Sequence, residues 1–541
     1  MAPPVPAMVV AAVVVATVLA AIVPAIYRLL VARRRLHLPP GVDGARPPLF
    51  GISHMRLALS PAACAAAVAH NGGSVVTTTL GPVPVVSALT APSARRILAL
   101  DSSGSTSWWF PPTWSATFGA ASLFVTNGAE HAADHATAVK SLAGDAADGL
   151  VAAIEFRVGL ELDEWVAAGV ACSAYPRCKM MALHLLTEGL FGRVVDKRTC
   201  RQLARLYDDV NGCFTALLPY DLPGSALRAG LRARKQIAVL MREEVSKLAT
   251  KRAAGTLSSS EASCILNNLS SSWSTTDDRD AIPIKLLDNA MSFLFHGADC
   301  LSAVMLAATR YVCEDESTRD AMLIELIDAG MVGGGQLDGA TLRQLPVLRS
   351  VVMETLRLYP PIPLMHRTVI EPASLDEYAL VPGQLLSYSI RTPHLDEAAW
   401  GDAAGRFCPG RHLRDGGMTV GDVRHDPSRV PVISNPSLTG DVSGGSHWLP
   451  FGDGVRKCPG ADFATLAVSI YLAKLVMEHT LEVQGAVRML RMPPHVRPDF
   501  ELRVRRRAPQ GRGAEGLGAG PPTPPAAERG IRGRRLVSGN R

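Results

Sequence analysis

Cys458 stands alone in the stretch FGDGVRKCPG, residues 451–460, between glycines, an arginine and a phenylalanine. A cysteine thiolate that binds iron must be shielded from water and must receive backbone N–H hydrogen bonds that tune its charge donation. Glycines allow the chain to wrap that closely. A helix starting just after the cysteine would bring its positive end near the sulfur. Phe451 would cover the sulfur, and Arg456 could neutralise a carboxylate on a cofactor. The plainer alternative is a glycine turn holding a structural cysteine. The ten cysteines of the chain are scattered with no C-x-x-C pair, which argues against a zinc ribbon, a disulfide scaffold or c-type haem attachment.

Three further stretches carry chemistry. In METLRLYPPIPLMHR, residues 353–367, Glu354 and Arg357 are three apart and share one helix face. Taken alone they are an exposed ion pair of little worth. In FLFHGADCLSAV, residues 293–304, Gly297 permits close approach to the helix backbone, and Asp299 is an acid beside the weak donor Cys300. In NGAEHAADHATA, residues 127–138, His131 and His135 fall on one face at i and i+4. They are either cofactor contacts or ordinary helix histidines.

Taken together these stretches resemble the cytochrome P-450 family. F-G-x-G-x-R-x-C-x-G is similar to the family's cysteine-ligand loop, with each defining position filled. The resemblance implies haem b held by Cys458 and bordered by Phe451 and Arg456. It implies a buried network of Glu354 and Arg357 with Arg411 from RFCPGRHL, although Gly410 and His412 replace the usual Glu and Phe. Arg367 resembles the arginine that meets a haem propionate, and His131 matches one histidine of a propionate-holding helix. Gly297, Asp299 and Cys300 lie on the helix that crosses the oxygen-binding face, where Asp299 and Cys300 would deliver protons. Electrons would come from NADPH through a separate reductase. LLPYDLPGSALRAGLRARKQI, residues 217–237, loosely resembles the plant branch with brassinosteroid, abscisic acid and ent-kaurenoic acid oxidases, implying a steroid- or terpenoid-like substrate. Trp108, Trp109 and Phe110 fall where the family places a substrate-facing loop; substrate, membrane and core all suit them.

The departures matter. Cys300 and Leu301 occupy the place of the usual alcohol pair, and Ala132, His135 and Ala136 replace basic residues. Splitting dioxygen needs two protons at its distal oxygen. The lost threonine therefore leaves room for two rivals: a haem-thiolate isomerase or dehydratase that rearranges a peroxide without NADPH, and a catalytically decayed haem-binding membrane protein.

These residues need a scaffold. Apolar periodicity predicts a mainly α fold with a smaller β portion, the cytochrome P-450 fold of the resemblance. Two short strands with Gly81-Pro82 at their turn precede a short helix, and helices extend over about 129–248, 285–312, 342–359 and after the cysteine loop. Residues 255–278 read as a serine-rich surface loop. Val5–Tyr27 is uncharged and long enough to span a bilayer, and Arg28, Arg33, Arg34 and Arg35 follow it. Positive charge after the apolar run favours a signal anchor over a cleaved signal and keeps the body cytosolic. The expected organisation is an anchor at 5–30, a basic, proline-rich hinge at 31–48, a haem-thiolate domain at 49–507 and a disordered Gly/Pro/Arg tail at 508–541. Localisation follows as single-pass in the endoplasmic reticulum membrane. Of the net charge of +6, the tail's six arginines and two glutamates supply +4, so no basic surface for nucleic acid is indicated.

Overall fold

The structure is a computed structural model. It describes residues 38–42 and 53–507, apart from 60–62, 64–65, 68, 71–73, 81–82, 111, 194, 215–220, 271–282, 333–336, 414–446 and 493–494. The anchor and the tail expected from the sequence lie outside the described residues, as does the hinge except for 38–42. Chain contacts separate a body ending at Arg506 from the stretch Arg507–Arg541.

The chain enters the body through Leu38–Val42, where Gly41 bridges to Thr77. Helix α1, Ser53–Leu59, precedes the hairpin β1, Val75–Leu80, and β2, Val83–Ala88. Thr90 and Ser93 close a capping box at the start of α2, Ala91–Ser102, satisfying N–H groups that a helix start leaves unpaired. Strand β3, Thr106–Trp108, leads into α3, Pro112–Phe118, and then α4, Gly128–Leu142.

A helical layer follows: α5, Val151–Ala168; the short β4, Cys172–Ser173; α6, Ala174–Phe191; α7, Lys197–Phe214; and α8, Ala226–Ala253. At its centre runs α9, Ile284–Glu314, with 31 residues and a length of about 46 Å at ~1.5 Å per residue. It is long and apolar enough to cross a membrane, but its apolar stretch is 78% buried inside the fold. Here apolarity reflects a helix with packed neighbours on most sides. Next come α10, Glu316–Asp328, and α11, Pro346–Leu358. Pro346 stands at the first turn of α11, where its missing N–H costs nothing, and Pro360-Pro361 bars continuation.

Strands β5, Leu364–Val369, β6, Ala373–Leu375, β7, Tyr378–Leu380, and β8, Leu385–Ser389, complete the N-terminal β region. Its main sheet runs β1-β2-β8-β5-β3, and the antiparallel β3–β5 register sets Trp108 opposite Arg367. After the cysteine loop, α12, Ala461–Glu478, is apolar nearly all round and mostly buried. The antiparallel pair β9, His479–Met492, and β10, His495–Arg506, follows, with β4 on its edge. The main core joins α5–α12.

Two expectations are corrected. Residues 255–278 are not one loop: Ser259–Ser263 and Ile265–Leu269 are short helices. Ser258 and Glu261 form a capping box there, and Ile265 and Leu266 are buried. The helix expected over 342–359 is broken in two, Gly339–Gln344 and α11, at the residue before Pro346, where a proline disfavours helical backbone.

Candidate active site

The cysteine loop is shaped by its own backbone. Gly452 and Gly454 adopt left-handed φ of 68° and 67°, a region closed to most side chains. Gly452 N–H donates to Leu449 O at 3.0 Å, and Cys458 N–H donates to Phe451 O at 2.9 Å. Gly460 then precedes α12, which brings the helix's positive end beside the sulfur. Burial raises the Cys458 thiol, while the Gly460 N–H and the Lys457 charge act in the opposite direction. Although surrounded by protein, Cys458 is accessible, because its open side is the wall of a cavity.

That cavity, partly continuous with solvent, gathers most of the candidate residues. Phe451, Arg456 and Cys458 line it from the loop, His131 from α4, and Gly297 and Cys300 from α9. Much of the remaining wall is apolar, including Leu186, Phe293, Val304 and Leu356.

One end is cationic. Arg456 lines it; Arg367 lies behind the lining, fully buried, its Nη2 2.9 Å from Asp101 Oδ2, while its Nε has no hydrogen-bond partner among the described residues. Trp108 carries both Arg367 and Arg456, whose guanidinium carbons stand 5.3 and 5.1 Å from its ring centre. Arg456 donates to Thr126 O at 2.6 Å and to Asn127 Oδ1. Burial lowers it to about 10, and the Arg367 charge pushes the same way. His131 is lowered to about 3 by burial, then by Arg456, His135 and Arg367, so it is neutral. His135 lines the cavity as well and donates from Nε2 to Lys457 O at 2.6 Å.

On α9 the candidates divide. Gly297 and Cys300 face the cavity, whereas Asp299 lies outside its lining. Asp299 is buried and accepts from Asn211 Nδ2 at 3.1 Å. Its charge also helps to raise buried Lys179, which pairs with the half-exposed Asp208. Ser302 donates to Asp299 O within the helix. At Gly297 a Cβ would stand 2.7 Å from Leu186 Cδ2, so packing against α6 also favours glycine there. Preceding it, His296 lines the cavity, stacks on Phe124 with ring centres 3.5 Å apart, and donates from Nδ1 to Ser292 O at 2.8 Å.

Behind the loop lies a buried polar cluster. Glu354 accepts two bonds from Arg357, both at 2.7 Å, one from Arg411 Nε at 2.9 Å and one from His412 Nε2 at 2.9 Å. Burial alone would raise this carboxyl, but Arg357 and then His412 hold it well below the ordinary range. Arg357 also donates to Ala404 O at 2.6 Å, and Arg411 to Trp400 O at 2.9 Å.

A family model described as Cytochrome P450 matches residues 47–498. The chain belongs to the cytochrome P450 family. Membership makes it an oxidoreductase of the monooxygenase type and implies haem iron as its cofactor. Among curated P450 relatives, abscisic acid 8'-hydroxylase 2 of Oryza sativa subsp. japonica is 24% identical over 463 residues, covering 84% of this chain and 83% of its own. Cytochrome P450 26C1 of Homo sapiens is 25% identical, covering 80% and 82%. Cytochrome P450 90A4 of Oryza sativa subsp. japonica is 25% identical, covering 85% and 89%. A solved structure, retinoic acid bound cyanobacterial CYP120A1, superposes with a TM-score of 0.68 at 20% identity, over 87% of this chain and all of that one. It shares the fold.

The residues present fit a haem. A thiol faces the apolar cavity beside a helix N-terminus, and an unpartnered guanidinium N–H sits where two arginines gather with a single paired carboxylate. That excess positive charge suits propionates. Several neighbours escape a reading of the P450 motifs. His394 donates from Nδ1 to Arg357 O at 3.0 Å and accepts Leu449 N–H at 2.7 Å on Nε2. Like Asp101, Lys179 and Asn211, it lies in no motif. His412 stood in the sequence as a departure from the family pattern, yet it is the third side chain bonded to Glu354, after Arg357 and Arg411.

Proposed function

We propose that this P450 is a membrane-anchored monooxygenase that hydroxylates a lipophilic, ring-bearing molecule of the steroid or terpenoid kind. It would use dioxygen and electrons from NADPH through a separate reductase. The observation that carries this reading is the shared cavity: Cys458, the α9 face of Gly297 and Cys300, and Arg456 all open into one largely apolar space. Such a lining favours a lipophilic guest. The relatives named for hydroxylating abscisic acid support that class.

Haem bound here supplies oxygen activation, with the Cys458 thiolate donating electron density. Phe451 borders it, while Arg456, Arg367 and His131 hold its propionates. Glu354, Arg357 and Arg411 fix the backbone behind the loop. Asp299 moves protons beside Cys300, which faces the cavity; its charge acts on buried Lys179, which pairs with half-exposed Asp208. The uncharged run at 5–27 with arginines after it supports a single-pass anchor in the endoplasmic reticulum with the catalytic body in the cytosol. The reductase would dock on the side of Lys457.

The test is the carbon monoxide difference spectrum of reduced membranes bearing the full chain, alongside Cys458→Ser. A strongly red-shifted Soret band that the variant loses supports the reading; well-expressed protein without haem rejects it. One observation favours a second reading, a haem-thiolate isomerase or dehydratase acting on a peroxide: the residue facing the cavity at the alcohol position is Cys300, a weak donor. Turnover without NADPH or reductase separates it from the first.

A further inference from the structure

Arg198, Arg201 and Arg205 fall at i, i+3 and i+7 on α7 and share one face of the helix. All three are exposed. With Gln202 and Leu206 of the same helix and Gln236 of α8 they line a recess at the surface. No residue of that lining belongs to the cavity of Cys458. Tyr207 and Asn211, on the opposite face of α7, turn inward to Met291 O and Asp299 instead.

Other cations of these two helices have carboxylate partners. Lys197 meets Glu164, Arg228 meets Asp221, Arg234 meets Asp288, and Lys247 and Lys251 meet Glu244 and Glu261. The three arginines of the recess form neither an ion pair nor a side-chain hydrogen bond among the described residues. Nearby acids do not serve them. Asp196 accepts Thr199 N–H at 3.0 Å, Asp208 pairs with Lys179, and the exposed Asp209 and Glu243 lie outside the lining. Like charges three and four residues apart on a helix cost about 0.2–0.5 kcal/mol per pair, a cost that a bound anion removes.

We propose that this recess binds a multiply phosphorylated group, of the kind a polyol bisphosphate carries. Each guanidinium offers a planar fork of donors that matches phosphate oxygens, and the amides of Gln202 and Gln236 can donate beside them. Spacing sets the number of phosphates. From Arg198 to Arg205 the helix advances about 10 Å at ~1.5 Å per residue. One phosphate can be shared by Arg201 and Arg205; engaging Arg198 as well takes a second. A soluble polyol phosphate and the headgroup of a phosphorylated lipid share this chemistry.

Equilibrium dialysis of the full-length holoprotein in neutral phosphatidylcholine nanodiscs, with labelled inositol trisphosphate as the probe, tests the site. Saturable binding is expected, about tenfold tighter than that of inositol monophosphate or citrate. Joint Arg201→Gln and Arg205→Gln substitution should weaken it by about tenfold or more. Joint Arg232→Gln and Lys235→Gln substitution, at exposed cations of α8 outside the lining, should leave it within about twofold. The arginines of the tail are the same in every variant, so the contrast between the two pairs isolates the recess. Absence of saturable binding overturns the proposal. Equal weakening by both pairs overturns it too, as does citrate binding as tightly as the trisphosphate. Where the site stands, nanodiscs bearing phosphatidylinositol bisphosphate identify the source: displacement of the probe marks the lipid headgroup, and undiminished binding marks a soluble ligand.

Discussion

His135 on α4 donates from Nε2 to the carbonyl of Lys457 at 2.6 Å, tying a helix 322 residues away in sequence to the residue before Cys458. The histidine occupies a place where the sequence resemblance led one to look for a propionate-binding arginine. Its ring instead braces the backbone that presents the sulfur. His135→Leu should leave that carbonyl without its partner at a cost of about 1 kcal/mol. The reduced carbon monoxide complex should then convert faster to the form with a blue-shifted Soret band, and a time course of the two bands measures it. An unchanged rate would mean that the bond serves only helix packing.

Glu354 receives five donors in a site with no solvent: Arg357 twice, Arg411, His412 and the N–H of Cys408. Removing one member of a buried charged cluster strands the others. Glu354→Ala should therefore cost about 3–5 kcal/mol of stability. Urea unfolding reads the loss, and haem content per chain should fall with it. A midpoint within error of wild type would show that the cluster contributes nothing net.

Cys300 offers a thiol where a hydroxyl would donate more strongly to a ligand in the cavity. Cys300→Thr is expected to raise product formed per NADPH consumed severalfold and to lower hydrogen peroxide release to match. If the ratio is unchanged, proton delivery does not pass through this position.

Three buried histidines set an acid limit. His54 and His366 share a 2.7 Å contact between their Nε2 atoms, and both are lowered by burial, His366 to about 4. His394 is lowered to about 3, by burial and then by the Arg357 charge. Below about 6.5 the unfolded chain binds protons at these rings and the folded chain does not. Stability therefore falls as pH falls, until each ring titrates in the fold, by at most about 1.4 kcal/mol per pH unit for each histidine. Urea midpoints should drop between pH 7 and pH 5, and the slope should flatten in His366→Asn. A midpoint rising toward pH 5 would contradict the sign.

Much of the site could be read from the chain because its chemistry is local. The cysteine loop is ten contiguous residues, and Glu354 meets Arg357 over one helical turn. Partners joined only by the fold stayed hidden: Asp101 meets Arg367 across two strands and a helix, and Lys179 approaches Asp299 from another helix. Asp299 itself shows the limit of motif reading, since adjacent residues on a helix point about 100° apart. Gly297 and Cys300 face the cavity while Asp299 faces α7. The capped turns at 259–269 were concealed by serines that favour loops and helix starts alike.

The loop around Cys458 holds its shape through its own carbonyls, two left-handed glycines, His135 and the His394 bridge from Arg357 to Leu449. The consequence is mechanical. A substitution at His135 or His394, neither of them in the loop, should shift where the sulfur stands, and the Soret position of the reduced carbon monoxide complex reads that shift.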